Sequence, residues 1–294
     1  MFFNQPYTKT KTTNTVNIIT FSTCWYIVKS KFPVNTYLQW IQNLLSIVNN
    51  FNLVVYTDIT SYNTLKPIIA NTNANANTKI NMNQIKFIIK PMDEFYGYRY
   101  KPEWVNNHNN SHISLHKMID WQLNMLWCEK IHFVNDTIKN KYFATKYYGW
   151  CDIGYFRSKE NMNAFKYWPN PITLLQNTLV KGINKIHYGC VQDNPIKYNS
   201  LKEDIINYYK KSSSQVLITN KIEDICFAGG FFILTPNLAA IYARLFDVKL
   251  QYYFKNNIFI KDDQQIVMDC IFTNPQLFHT HFSSNWFMFQ DLLL

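Results

Sequence analysis

At 294 residues, the chain has room for one large α/β unit, and 47% hydrophobic with 17% aromatic residues against 16% charged excludes a protein that is disordered as a whole. A net charge of +10 raises nucleic acid as a partner, because Lys and Arg neutralise phosphates. Only three arginines occur, however (Arg99, Arg157 and Arg244), and the wealth of Lys, Asn, Ile, Tyr and Phe is how translated AT-rich DNA looks, as in giant DNA viruses. No nucleic-acid partner is expected, and the positive field suits a nucleotide diphosphate or an acidic acceptor instead.

Residues 1–14 form a polar leader, expected to be flexible, and residues 15–294 a single α/β domain with a mostly parallel central sheet flanked by helices. Val16 to Phe21 reads as a buried strand, Asn35 to Asn49 as a helix with Trp40, Ile41 and Leu44 on its apolar stripe, and Leu53 to Tyr56 as the next strand. That β-α-β order demands a parallel pair and a right-handed crossover. An Asn-rich loop, Asn71 to Thr78, precedes a strand at Ile85 to Ile89. The stretch Met92 to Asn110 is long, aromatic and polar, as expected of a functional flap, with Tyr96, Tyr98, Arg99 and Trp104 able to cover a ligand.

A helix from about Ser111 carries Leu115, Ile119, Leu123 and Leu126. Tyr147 onward reads as a strand running into Asp152 and Gly154. Later pieces are a strand at Ile186 to Val191, a helix near Leu201 to Lys211 and an apolar segment at Ile225 to Leu234. Next come a helix opening at Pro236 with Ile241, Leu245, Val248 and Tyr252 buried, a helix from Asp262 to Ile271, and a strand at Leu277 to Phe282. No run approaches the roughly 18 apolar residues of a membrane span. Nothing near the N-terminus has the apolar segment of a secretory signal, so the expected location is cytoplasmic. The six cysteines lie far apart without a C-x-x-C pair and are expected to be reduced and mostly buried.

Four of the seven glycines fall at Gly149, Gly154, Gly229 and Gly230, which marks two loops as places where a ligand approaches the backbone. Asp152 follows a buried strand, so its carboxylate projects from the carboxyl end of the sheet, where α/β folds place ligands. Asp262 and Asp263 open a helix. Capping and the helix dipole account for one acid there, and a paired carboxylate can also serve as a general base or stabilise positive charge. His279 and His281 alternate with Phe278 and Phe282, so a strand would put both imidazoles on one face, as metal ligands or as an exposed edge. His108, His112 and His116 share a four-residue spacing, but no partnering Glu makes a zinc-protease motif.

The order of Val55-Tyr56-Thr57-Asp58, Trp127-Cys128-Glu129-Lys130 and Tyr147 through Arg157, followed by Phe227-Ala228-Gly229-Gly230-Phe231-Phe232 and Asp263-Gln264-Gln265, resembles the HtrL/YibB-like family. The core of the resemblance is W-x-D-x-G-x-x-R at Trp150, Asp152, Gly154 and Arg157. It implies a Rossmann-like type-A glycosyltransferase that moves a sugar from a nucleotide-diphosphate donor, UDP-sugar favoured, to a hydroxyl of a glycan or protein acceptor, with Mn²⁺ or Mg²⁺ assisting. By the same resemblance Thr20, Phe21, Ser22, Thr23 and Asp58 hold the nucleotide. Lys130 and Arg157 neutralise the diphosphate, and Gly229 and Gly230 form an acceptor-side loop. Asp262 or Asp263 is the catalytic acid or base, and Asp152, His279 and His281 hold the metal. Gly154 stands where a D-x-D motif has its second acid. The alternatives are a nucleotide-sugar or carbohydrate binding protein without catalysis, and then a basic nucleic-acid binder.

Overall fold

A computed structural model describes residues 17–74, 80–160, 162–179, 184–210 and 226–294. The leader expected at residues 1–14 lies outside the described residues, as do residues 75–79 of the expected Asn-rich loop. Residues 71–74 of that expected loop are instead the last turn of a helix. Among the described residues seven strands form one sheet: β1 (Ile19–Cys24), β2 (Asn52–Thr57), β3 (Ile85–Ile89), β4 (Tyr147–Cys151), β5 (Ile186–Cys190), β6 (Phe227–Leu234) and β7 (Phe278–Phe282). Their spatial order is β3-β2-β1-β4-β6-β5-β7. Only β6 runs against its neighbours, antiparallel to both β4 and β5, while every other pairing is parallel. The expectation of a mostly parallel sheet flanked by helices is met.

The first β-α-β unit forms as its pattern dictates, with α1 (Val34–Ser46) burying Trp40, Ile41, Leu44 and Leu45 between β1 and β2 in the chain. The helix α2 (Ile59–Ala74) then leads toward β3. Side chains alternate across the sheet, so β1, β2, β4 and β6 each feed two cores. On one face Tyr56, Trp150, Tyr188 and Phe232 meet Phe133 and the helices from the middle and late parts of the chain. On the other, Phe21, Phe51, Phe231 and Trp168 pack with α1 and the C-terminal Phe289. Phe21 stacks on Trp168 at 5.5 Å and Phe133 lies over Trp150 at 6.0 Å between ring centroids. All six cysteines are free and buried, as expected.

Several expectations are corrected. Met92 to Asn110 is no flap, because it folds into short 3-10 turns and α3 (Lys101–Asn109). Glu129, fully buried, accepts the backbone N–H groups of Tyr96 and Gly97 at 2.7 and 2.9 Å. Burial pushes its carboxyl up to about 7, against those two hydrogen bonds, which work downward. Asp247 gathers Tyr96, Arg99 and Tyr100 at 2.7 to 2.9 Å, and Trp104 is wholly buried. Polar and aromatic residues here clamp a segment to the body.

The helix expected from Ser111 breaks into α4 (Ser114–Met118) and α5 (Trp121–Cys128) because Asp120 caps the second piece through Leu123 N–H. The chain then turns at Glu129 into α6 (Lys130–Lys139), which lies on β1 and β4. After α7 (Pro171–Thr173) and α8 (Pro195–Lys210) comes α9 (Pro236–Lys255). The buried stripe of α9 is Leu238, Tyr242, Phe246, Leu250 and Tyr253, leaving Ile241 and Val248 exposed. Of the stripe read from the sequence, Leu245 and Tyr252 are half-buried against the core, and only Ile241 and Val248 face outward. The last helices are α10 (Asp263–Thr273) and α11 (Met288–Leu292).

Gly149 shows why the sheet centre needs a glycine. A Cβ there would sit 2.3 Å from the Phe232 carbonyl oxygen and 3.0 Å from the Phe21 ring, a clash with backbone that no rotamer relieves. Gly149→Ala is expected to cost about 1–3 kcal/mol in urea unfolding, as overpacking of a close-packed core does. An unchanged midpoint would contradict the close approach.

Candidate functional site

A cleft of about 550 Å³ opens at the carboxyl ends of β1 and β4, within the size range of small-molecule sites. Asp152 follows β4 directly and is held beside β6 by its N–H, which donates to the Gly230 carbonyl at 2.8 Å. Its Oδ1 accepts from the Trp150 indole at 2.6 Å. From α6 comes Lys130, the first helical residue, whose ammonium lies 3.3 Å from Asp152 Oδ1 and 2.9 Å from Asp263 Oδ2. The same ammonium donates to the Gly229 carbonyl at 2.9 Å. One buried cation therefore joins β4, β6, α6 and α10.

The charges explain the proton affinities. Burial works to lower the Lys130 pKa, yet Asp152 and Asp263 together hold it above the ordinary lysine value. Asp263 is itself buried, which pushes its carboxyl up to about 6 although Lys130 opposes the shift. Asp262 is raised by burial as well, against Lys261, Lys31 and Lys130. It caps α10 by accepting the Gln264 N–H at 3.2 Å. Capping thus accounts for Asp262, and ion pairing with Lys130 for Asp263.

Gly229 and Gly230 were expected in a loop, but both lie inside strand β6, and among the described residues no glycine has a positive φ. They are small for reasons of space. A Cβ on Gly229 would come within 2.8 Å of Asp263 Oδ2, and one on Gly230 within 3.2 Å of Asp152 Oδ2. Gly154 likewise makes room, since a Cβ there would meet the Trp40 ring at 2.7 Å. The residue in the place of a second D-x-D acid is thus fixed by packing against α1. Arg157 is exposed on the cleft, its Nε donating to the Gly154 carbonyl at 3.1 Å and its guanidinium 4.5 Å from the Trp40 ring centre.

Lys130, Trp150, Asp152, Gly154, Arg157, Gly229, Gly230, Asp262 and Asp263 all line this cleft. Thr20, Phe21, Ser22 and Thr23 do not, because all four side chains are buried within β1, Ser22 bonding Thr137 at 2.8 Å. A few residues along the chain, past the strand end, Trp25, Tyr26 and Lys31 line the cleft. Asp58 is absent from the lining and caps α2, its Oδ1 accepting the Ser61 N–H at 2.6 Å. His279 and His281 also leave the expected set. They gather with His187 on the sheet face that carries Phe289, away from the residues lining the cleft around Asp152.

As cleft residues, Lys31, Trp40, Trp127, Trp286 and Phe287 were not expected; the four aromatic ones wall the cleft. Lys31 lies 4.9 Å from the Trp127 ring centre, and burial lowers its pKa, against Asp262 and Asp263. The signal that would have found Trp25 and Lys31 is the polar and aromatic segment directly after β1, on the side of the sheet where parallel strands end.

A family model described as "Bacterial protein of unknown function (HtrL_YibB)" matches residues 22–293, and the chain belongs to that family. No curated protein matches. Among solved structures, the chain is similar to an active-site mutant of LgtC, at 10% identity and a TM-score of 0.43, over 90% of this chain and 72% of that one. It is similar also to galactosyltransferase LgtC in complex with donor and acceptor sugar analogs, at 11% identity and a TM-score of 0.43, over 90% and 73% of the two chains.

Removing the central cation leaves two acids facing each other. Lys130→Gln is expected to lose about 3–5 kcal/mol of stability in urea, the range for breaking a buried pair by deleting one partner. Adding Asp263→Asn should recover part of that loss. A single variant as stable as the parent would show that the ammonium does not hold these elements together.

Proposed function

We propose that the cleft is the active site of a glycosyltransferase that moves a sugar from a nucleotide-diphosphate donor, a UDP-sugar first of all, to a hydroxyl of a glycan or protein acceptor. The observation that carries the reading is Lys130, fixed between Asp152 and Asp263 at the strand ends of a cleft that also presents Arg157 and aromatic walls. Glycosyl transfer breaks the bond from the anomeric carbon to the diphosphate oxygen, whose electron pair leaves with the diphosphate. The sugar passes through an oxocarbenium-like state. A site for this reaction needs positive charge on the leaving side and negative charge near the ring and the acceptor.

Lys130 and Arg157 supply the positive side, and Arg suits phosphate because its planar fork gives two parallel hydrogen bonds. Lys130 is already held by two carboxylates and a carbonyl, so little reorganisation is needed when the charge develops. Asp263 keeps that ammonium in place. Asp262, the second buried acid on the cleft, takes the proton of the acceptor hydroxyl if the reaction inverts configuration. Trp25, Tyr26, Trp127 and Trp286 offer faces for a base or a sugar ring.

The Asp152 side chain is 40% exposed, and magnesium-like cations are commonly held by one or two carboxylates together with substrate phosphates. Asp152 therefore fits a Mn²⁺ or Mg²⁺ that the donor's phosphates complete, which when bound would add charge neutralisation at the diphosphate. The enzyme works in the cytoplasm, in keeping with six free buried thiols.

The test is release of nucleoside diphosphate from UDP-, GDP- and dTDP-sugars, with and without chelator, by the parent and by Asp152→Asn. One donor should turn over, and the variant should lose at least about 10²-fold of that rate while folding normally, as loss of a charge-stabilising group does. Near-normal turnover by the variant would remove Asp152 from the site. Stabilisation by a nucleotide sugar without any product would favour a binding protein over an enzyme.

A further inference from the structure

Three histidines that take no part in the cleft come together where the sheet ends. His187 lies in β5, in register with His279 of the edge strand β7, and His281 follows one pleat later opposite Gly189. Residues in register across a parallel pair, and residues two apart on one strand, point to the same face. The three imidazoles accordingly share one side of the sheet, with ring centroids 4.7 to 5.3 Å apart. His187 Nδ1 and His281 Nε2 are 3.0 Å apart, and one ring nitrogen from each histidine lies within 4.8 Å of the other two.

The surroundings bear on which cation would suit this cluster. Among the described residues no carboxylate and no thiol belongs to the group, so the donor atoms found there are all imidazole nitrogens. Mg²⁺ and Mn²⁺ prefer oxygen ligands, whereas imidazole suits Zn²⁺ and its neighbours. Two nitrogens on one tetrahedral Zn²⁺, each about 2.0–2.1 Å from the metal, lie about 3.4 Å apart. That separation falls between the 3.0 Å contact and the 4.8 Å limit of the cluster, so small ring rotations suffice. His187 is fully buried, while His279 and His281 are half-buried, which leaves a route for the ion. Phe289 packs on His281 at 5.3 Å, and Met288 fills the space beside Gly189, giving the cluster an apolar wall.

We propose that His187, His279 and His281 form a three-histidine site for a zinc-class divalent cation, separate from the acidic cleft. The ion ties the edge strand β7 to β5, and because His187 lies one strand from β6 it also fixes the half of the sheet that carries Gly229 and Gly230. Three protein ligands leave a fourth tetrahedral position for water. The binding is independent of the reading of the cleft.

The test uses the full chain stripped with chelator and then titrated with Zn²⁺ against a chromophoric competitor, with thermal unfolding followed in parallel. One Zn²⁺ per chain is expected, with a rise in Tm that Mg²⁺ and Mn²⁺ do not produce, and Co²⁺ should give the visible absorption of a tetrahedral centre. Changing groups that merely orient a ligand costs about 10- to 100-fold in affinity, so loss of a ligand should cost at least that. His281→Gln and His279→Gln, both at half-buried positions, should each show that loss with an unchanged circular dichroism spectrum. Asp152→Asn should bind Zn²⁺ like the parent. Failure to bind one Zn²⁺ per chain, or affinity as high as the parent's in either histidine variant, would overturn the proposal, as would binding abolished by Asp152→Asn.

Discussion

A lysine ammonium buried between two carboxylates is the contact on which the rest of this structure turns. Taking Lys130 out of water is unfavourable by itself, and the site offsets that with Asp152, Asp263 and the Gly229 carbonyl at hydrogen-bonding distance. Each partner comes from a different element: Asp152 from the end of β4, Asp263 from the start of α10 and Gly229 from β6. Their convergence requires the one antiparallel strand to lie beside β4, because β6 brings Gly229 and Gly230 to the acids at the end where β4 finishes.

The space around this contact is set by glycine and aromatic residues together. Gly229 and Gly230 let two carboxylates lie against a strand, and Gly154 lets Trp40 pack under the turn after Asp152. Arg157 then rests on Trp40, with Phe32 and Phe287 also around its guanidinium. A charged side chain held on aromatic faces keeps its position while its head group stays accessible. The polar residues of the middle segment do a different job. Glu129 and Asp247 bind the turns around Tyr96 to Tyr100 to the body, so the aromatic side chains there serve the scaffold.

Periodicity made much of this legible. The strands at Ile85 to Ile89 and Ile186 to Cys190, and the apolar stripe of α1, follow directly from local pattern, as does Asp152 at a strand end. What escaped were facts of three dimensions. A glycine pair in a sequence reads as a turn, yet at Gly229 and Gly230 the need for glycine arises from Asp152 and Asp263, acids distant in the chain. The family resemblance put Thr20 to Thr23 at a nucleotide, but β1 lies between β2 and β4, which covers both of its edges, and cores on both faces bury its side chains. His279 and His281 share a face as their spacing requires. Their partner is His187, 92 and 94 positions earlier by chain number, and no local pattern announces it.

On the function proposed above, the Lys130 network seats the donor diphosphate. The most direct measurement is a crystal structure of the protein soaked with UDP. Electron density is expected for the diphosphate at Arg157 and beside the Lys130 ammonium, with the uracil against the aromatic wall of the same cleft. A fully occupied UDP bound elsewhere, or a clear cleft at saturating nucleotide, would contradict it.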